Sequence, residues 1–195
     1  MAATAQDRQD IADLMTGWIH RDLGEWDELR DLFHPDARIA ITWFEGPASE
    51  FVDASAEMGA SDLRTKHLVT APVVTFSADG TRAFSETNAV IVGENVELAL
   101  GCNTHSRFLD RLEKRDGAWR IVERGAVYDF ATFTYPAGLV HVDQEALSQH
   151  PREYGALAYL LEASGFPVRR AFPVKGGEQE RDMKRRALDW VHGKD

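Results

Sequence analysis

Between residues 63 and 135 the chain reads as four long extended segments, at about 63–77, 81–92, 96–114 and 118–135, with little between them. Asp79-Gly80, Gly93-Glu94-Asn95 and Asp116-Gly117 separate them, and such pairs and triplets are turn signals. Connections this short force consecutive strands to run antiparallel, so the segments predict a meander. Upstream the apolar period changes. Ile11, Leu14, Met15 and Trp18 fall on one face of a helix over about 5–20, and Trp26, Leu29, Leu32 and Phe33 do the same over 24–33. His34-Pro35-Asp36 stops the second helix, because the residue before a proline avoids helical geometry. Arg38 to Phe44 then reads as a strand, and Pro47 as the opening of a helix reaching Met58. Helices first and strands later predict an α+β architecture, with the helices packed on one face of a single sheet.

Residues 136–195 follow another rhythm. A helix over 152–164 carries Tyr154, Leu157, Ala158 and Leu161 on one side and stops at Gly165. A second, over 178–191, brings Met183, Ala187, Trp190 and Val191 into register. The chain therefore divides into an α+β domain over 1–135 and a C-terminal helical extension over 136–195. The apolar stripes of the extension need the sheet domain or a second subunit to pack against.

Composition removes several function classes. Thirty-two acidic residues against 22 basic give a net charge of -10, the wrong sign for a phosphate-binding surface. The densest basic group, Lys184 to Arg186, is flanked by Glu180, Asp182 and Asp189 and reads as a solvated helix face. No nucleic-acid partner is expected. Cys102 is the only cysteine, so no intrachain disulfide forms and a reducing cytoplasm fits. The first ten residues lack a basic region followed by an apolar stretch, and no uncharged run reaches the ~18–20 apolar residues of a membrane helix. Neither a secretory leader nor a membrane partner is expected. Glycine-rich phosphate loops, a nucleophile elbow and an HExxH motif are all missing. The seven histidines show no metal-ligand spacing, and His141-Val-Asp143 in the extension reads as surface. No metal or organic cofactor is expected.

What remains is quieter chemistry. Asp22 closes the first helix, His67 lies early in the first long strand, and His105, Arg107 and Arg124 lie in later strands. A carboxylate can hold an imidazole in one tautomer and stabilise the imidazolium it becomes, so an Asp–His pair is a minimal general base. An arginine nearby would stabilise the anion that forms. Each residue also has a structural reading. Asp22-Leu-Gly-Glu25 has the form of a capping box, and His67 sits among Leu68, Val69 and Val73 as a core histidine would. Arg124 can pair with Asp110 or face solvent, Arg107 can be an edge charge, and Trp18 and Trp43 can be core.

The order of elements and three local strings resemble the nuclear transport factor 2-like superfamily, and within it the SnoaL-like group. The strings are Leu29-x-x-Leu-Phe-His-Pro-Asp-Ala37, Arg107-Phe-Leu-Asp-Arg-Leu112 and Arg115-Asp-Gly-Ala-Trp-Arg-Ile121 with Arg124 following, and the likeness spans roughly 6–135. It implies a curved antiparallel sheet closed by helices into a cone that holds a small apolar ligand. Within the superfamily the pattern looks most like that of scytalone dehydratase and hexachlorocyclohexane dehydrochlorinase, which carry an Asp after the first helix and a His in the first long strand. Asp22 and His67 occupy those places, and Arg124 matches an Arg of the dehydrochlorinase. Gly17 stands where the dehydrochlorinase has Lys, and Arg21 where the dehydratase has Tyr.

The resemblance implies a cofactor-independent lyase or isomerase, with His67, Asp22 and Arg124 as catalytic residues. Arg107, His105, Trp18, Trp43 and Tyr128 are the expected substrate-binding residues. A homodimer or homotrimer is the expected assembly. The same fold also serves as a non-catalytic binder of hydrophobic ligands, or as the structural small subunit of a ring-hydroxylating dioxygenase.

Overall fold

The computed structural model describes residues 2–194; Met1 and Asp195, the outermost residues of the two assigned segments, lie outside it. The elements run α1 (Ala5–Thr16), α2 (Ile19–Leu23), α3 (Trp26–Asp31), β1 (Phe33–Ile41), β2 (Phe44–Pro47), α4 (Ala48–Gly59), β3 (Leu63–Val69), β4 (Val73–Phe76), β5 (Arg82–Asn95), β6 (Leu100–Arg115), β7 (Ala118–Thr134), α5 (Gln144–Leu147), α6 (Gly155–Ala163) and α7 (Glu178–Val191). They make one strongly curled α+β half-barrel, with strand order β2-β1-β7-β6-β5-β3 and β4 also on β5. β5, β6 and β7 form the expected antiparallel meander, whereas β1 joins β7 in parallel.

Four boundaries differ from the sequence expectation. The first helix breaks at Gly17, where the Leu32 side chain packs directly on the bare backbone: an added Cβ would come within 2.8 Å of Leu32 Cδ2. The first long segment is split by 70–72, since Pro72 has no N–H to give a ladder. Gly93 to Asn95 stay within β5, and the turn falls at 96–99, where Ala99 takes a positive φ of 49°. β1 starts at Phe33 rather than Arg38, with a register shift around Pro35.

The inner face of the sheet packs on Ile11, Met15 and Trp18 from the N-terminal helices, Phe51 from α4, and Leu157 and Leu161 from α6. Full burial of each such side chain contributes about 1.5–3 kcal/mol. Asp7 fastens α1 to the sheet: its Oδ1 accepts from Lys114 Nζ at 2.6 Å and Trp119 Nε1 at 2.9 Å. α7 takes the outer face, where Ala187 and Val191 cluster with Phe84, Leu109 and Val127. The extension thus passes from one face of the sheet to the other. On the way it pairs with β7: Tyr128 N–H donates to Pro173 O at 3.0 Å, and Lys175 N–H to Tyr128 O at 2.9 Å.

Candidate active site

Asp22 does not cap a helix. It sits in the last turn of α2, which Gly24 ends in a left-handed conformation (φ 74°), and its carboxylate points across to β3. Asp22 Oδ1 lies 2.6 Å from His67 Nδ1, and Oδ2 accepts the His67 backbone N–H at 2.6 Å. Both side chains are almost wholly enclosed. The carboxylate therefore fixes the ring and the strand together, and assigns the Nδ1 proton to the bonded side. His67 Nε2 makes no hydrogen bond to any described residue. Burial alone would raise the Asp22 carboxyl, but the His67 contacts and the charge of Arg21 outweigh it and hold the group below its ordinary range. Burial pushes the His67 imidazole down. Its bond to Asp22 opposes this, while the charges of Arg21 and Arg124 add to it, and the net direction is below the ordinary 6.5. The imidazole is thus neutral at neutral pH, the form a base requires.

His67 lines a cavity of about 30 Å³ with Trp18, Trp43, Tyr128, Phe108 and Leu161 among its walls. Trp18 presents its ring to the edge of His67 at 5.9 Å between centroids. Tyr128 Oη donates to Thr42 Oγ1 at 3.1 Å and is pushed up to about 12 by burial, so it is a fixed neutral phenol. A cavity of this size holds one or two waters. Leu157 and Leu161 of α6 close it on one side. Of the expected binding residues, Trp18, Trp43 and Tyr128 are thus brought to His67.

Arg107 and His105 are not. They lie on the outer face of β6. Arg107 Nη1 donates to Glu86 Oε1 at 2.6 Å and Glu180 Oε1 at 2.5 Å, and Nη2 to Asp129 Oδ1 at 2.8 Å, so it anchors α7. His105 stacks on Phe130 at 4.1 Å. Side chains of a strand alternate, and Phe108 and Leu112 face inward, which sends positions 105 and 107 outward.

Arg124 stands outside the cavity wall. It forms a two-pronged pair with Asp110, Nε to Oδ1 and Nη2 to Oδ2, each 2.8 Å, with both side chains fully buried. Its guanidinium lies 4.4 Å from the Trp18 ring centroid and 4.2 Å from that of Phe108. Breaking such a pair from one side costs about 3–5 kcal/mol. Arg124 supports the cavity wall and reaches His67 through its charge.

Arg21, which the sequence does not single out as a binding or catalytic residue, also lines the cavity. Its guanidinium reaches the cavity wall, where Nη1 donates to Thr65 Oγ1 at 2.7 Å. The signal was available: Arg21 follows Trp18 by three residues and so continues the apolar stripe. Elsewhere, burial pushes the Cys102 thiol up to about 11, which leaves no thiolate at neutral pH. Among the described residues no group of three or more His, Cys, Asp or Glu could hold a metal ion, and no helix is long and apolar enough to cross a membrane. A separate groove of about 480 Å³ between β1, β7 and α7 includes neither Asp22 nor His67.

Residues 3–125 match the model of the SnoaL-like domain. The chain belongs to the SnoaL-like domain family. Two proteins of the fungus Fusarium vanettenii are similar to this SnoaL-like protein. Pea pathogenicity protein 2 is 29% identical over 170 residues, covering 82% of this chain and 71% of that protein. A PEP2-like protein is 28% identical over 208 residues, covering 96% and 86%. Among solved structures, a hexachlorocyclohexane dehydrochlorinase from Novosphingobium barchaimii superposes with a TM-score of 0.56 at 19% identity, over 72% of this chain and 99% of that one. A structure provisionally assigned as a scytalone dehydratase, from Novosphingobium aromaticivorans, gives 0.52 at 18% identity, over 69% and 85%. At these identities the likeness places the SnoaL-like protein in the nuclear transport factor 2-like fold and leaves the chemistry to the site itself.

Proposed function

We propose that the protein is a cofactor-independent lyase or isomerase that begins by removing a proton from carbon on a small, mostly apolar substrate. The reading is carried by one observation: His67 Nδ1 is held by a buried carboxylate at 2.6 Å, while Nε2 has no hydrogen bond to any described residue. Nε2 takes the proton from a carbon beside a carbonyl, and the C–H electron pair moves into the conjugated system. Asp22 stabilises the imidazolium. The imidazolium then returns its proton, either to another carbon, giving isomerisation, or to a departing hydroxide, giving dehydration. Arg124 acts from behind Trp18 by holding the imidazole neutral. A base of this kind supplies about 10²–10⁴ in rate.

The setting we assign is the cytoplasm, where a lone buried cysteine stays reduced. The assembly we assign is a homodimer or homotrimer. Leu68, Val90, His105 and Phe130 lie in one row across β3, β5, β6 and β7, and Leu68 and Phe130 are more than half exposed.

The test follows deuterium exchange at the α-carbon of aryl ketones and β-hydroxy ketones in D₂O by NMR. The expected result is exchange by the native chain, lowered about 10²–10⁴-fold in His67→Ala and largely lost in Asp22→Asn. Exchange undiminished in both variants would sink the mechanism. The narrow cavity favours a second reading, a hydrophobic-ligand binder or scaffold. That reading wins if a ligand binds native chain and His67→Ala alike and neither exchanges it.

A further inference from the structure

Two hollows meet at Arg21. One is the inner cavity at His67. The other is a vestibule of about 260 Å³, lined by Asp22, Trp26, Ser55 and Arg64 among others. Arg21, Met58 and Thr65 belong to both walls, so the guanidinium and its two acceptors form the partition between them. The acceptors are poor. Among the described residues, Nη1 has the Thr65 hydroxyl at 2.7 Å, Nη2 has only the Met58 sulfur at 3.3 Å, and Nε has no partner. The nearest carboxylate oxygen among the described residues, Asp22 Oδ1, is 4.0 Å away and already bonded to His67. Ser55 Oγ, in the vestibule wall, is likewise buried without a partner.

Arg124 shows what a buried arginine ordinarily has, a two-pronged carboxylate. Arg21 is 8% exposed and lacks one. A buried cation left so poorly satisfied is costly to keep unless an oxygen comes to it.

We infer that Arg21 selects the substrate: its guanidinium binds the carbonyl oxygen of an enolisable apolar compound, on which charge collects as His67 Nε2 takes the α-proton. This rests on the proton-transfer function proposed above. The C–H bond breaks, the proton passes to Nε2, and the electron pair moves through the new C=C bond onto that oxygen, where Arg21 N–H groups meet it. One cation beside Trp18, Trp43, Ile91 and Phe108 fits one oxygen on an apolar body. A phosphate would bring up to two charges and call for more donors. Arg21 can turn from Thr65 and Met58 to the substrate, because the vestibule of about 260 Å³ leaves room on its far side.

The probe pair is 2-naphthol and naphthalene, equal in body and differing by the one oxygen. Binding of each is measured by titration, and the ionised fraction of bound naphthol by its absorbance. The expected result is that native chain raises the ionised fraction on binding, and that Arg21→Met abolishes this. The same variant binds naphthol about 10–100-fold more weakly and naphthalene nearly as before. Arg21→Lys restores part of the ionisation. Arg21→Met replaces a poorly paired buried cation by an apolar side chain of similar length, so an unchanged or higher melting temperature controls for folding. Equal naphthol ionisation in native chain and Arg21→Met, an equal loss of both probes, or no ionisation by native chain would overturn the inference. His67→Ala separates the two proposals. If it ionises naphthol while α-exchange proves independent of His67, Arg21 stands and the base is misassigned.

Discussion

Forty-five residues separate Asp22 from His67, and two contacts of 2.6 Å join them. The consequence for pH follows from the direction of each shift. His67 is depressed below 6.5 in the folded chain by burial, so folding favours its neutral form. Its contribution to stability is complete above the unfolded value near 6.5 and is lost as pH falls through the lower folded value. Asp22, also depressed, adds a second loss further into acid, below its unfolded value of 3.8. The melting temperature of native chain should therefore fall between pH 7.5 and 5 more steeply than that of His67→Gln, and a parallel pair of curves would contradict it. The α-exchange rate should be flat above pH 6.5 and decline only below it, because the base is already unprotonated there. At this scale the sequence was legible in part. Two residue types in two expected places identified the carboxylate and the imidazole, but capping and pairing have the same spacing, and only the direction of the Asp22 side chain separates them.

Elements decide which residues reach the cavity. β6 keeps strict alternation over its middle, so the inward Cys102, Phe108 and Leu112 already sent His105 and Arg107 outward, and that expectation could have been corrected from parity alone. β7 could not be read that way. Its register shifts twice against β6, at Val122 and at Asp129, so Trp119 and Ile121 face inward at odd positions and Arg124, Ala126 and Tyr128 at even ones. A bulge inserts one residue and reverses the parity beyond it, and no residue type announces it. The parallel β1–β7 pairing was equally hidden, since it joins strands that are remote in sequence. α6 is the element that makes the cavity small. Leu161→Ala should cost about 2–5 kcal/mol of stability and tighten naphthalene binding. Denaturant unfolding and titration check the two halves, and weaker binding would show that α6 forms the site rather than filling it.

At the scale of the whole molecule, the inner sheet face is filled by the chain's own helices and only part of the outer face is covered by α7. The row Leu68, Val90, His105 and Phe130 stays open beside it, on a chain whose net charge of -10 discourages casual association. Apolar rows left exposed on a sheet are where subunits meet. For the homodimer or homotrimer proposed above, Phe130→Glu should lower the mass in light scattering to that of a monomer without lowering the melting temperature by more than a few degrees; an unchanged mass would count against this row as the interface. The α+β class and the meander were legible because turn residues and apolar periods are local. The path of the extension was not, because its stripes say that it packs and not on which face.

That path also seals a seam. Past Gly125 strand β7 has outrun β1, and the backbone of Tyr128 would stand bare had Pro173 and Lys175 not taken its hydrogen bonds. A bare strand is a template on which other chains can grow. At that one place the extension denies stray chains a point from which to begin.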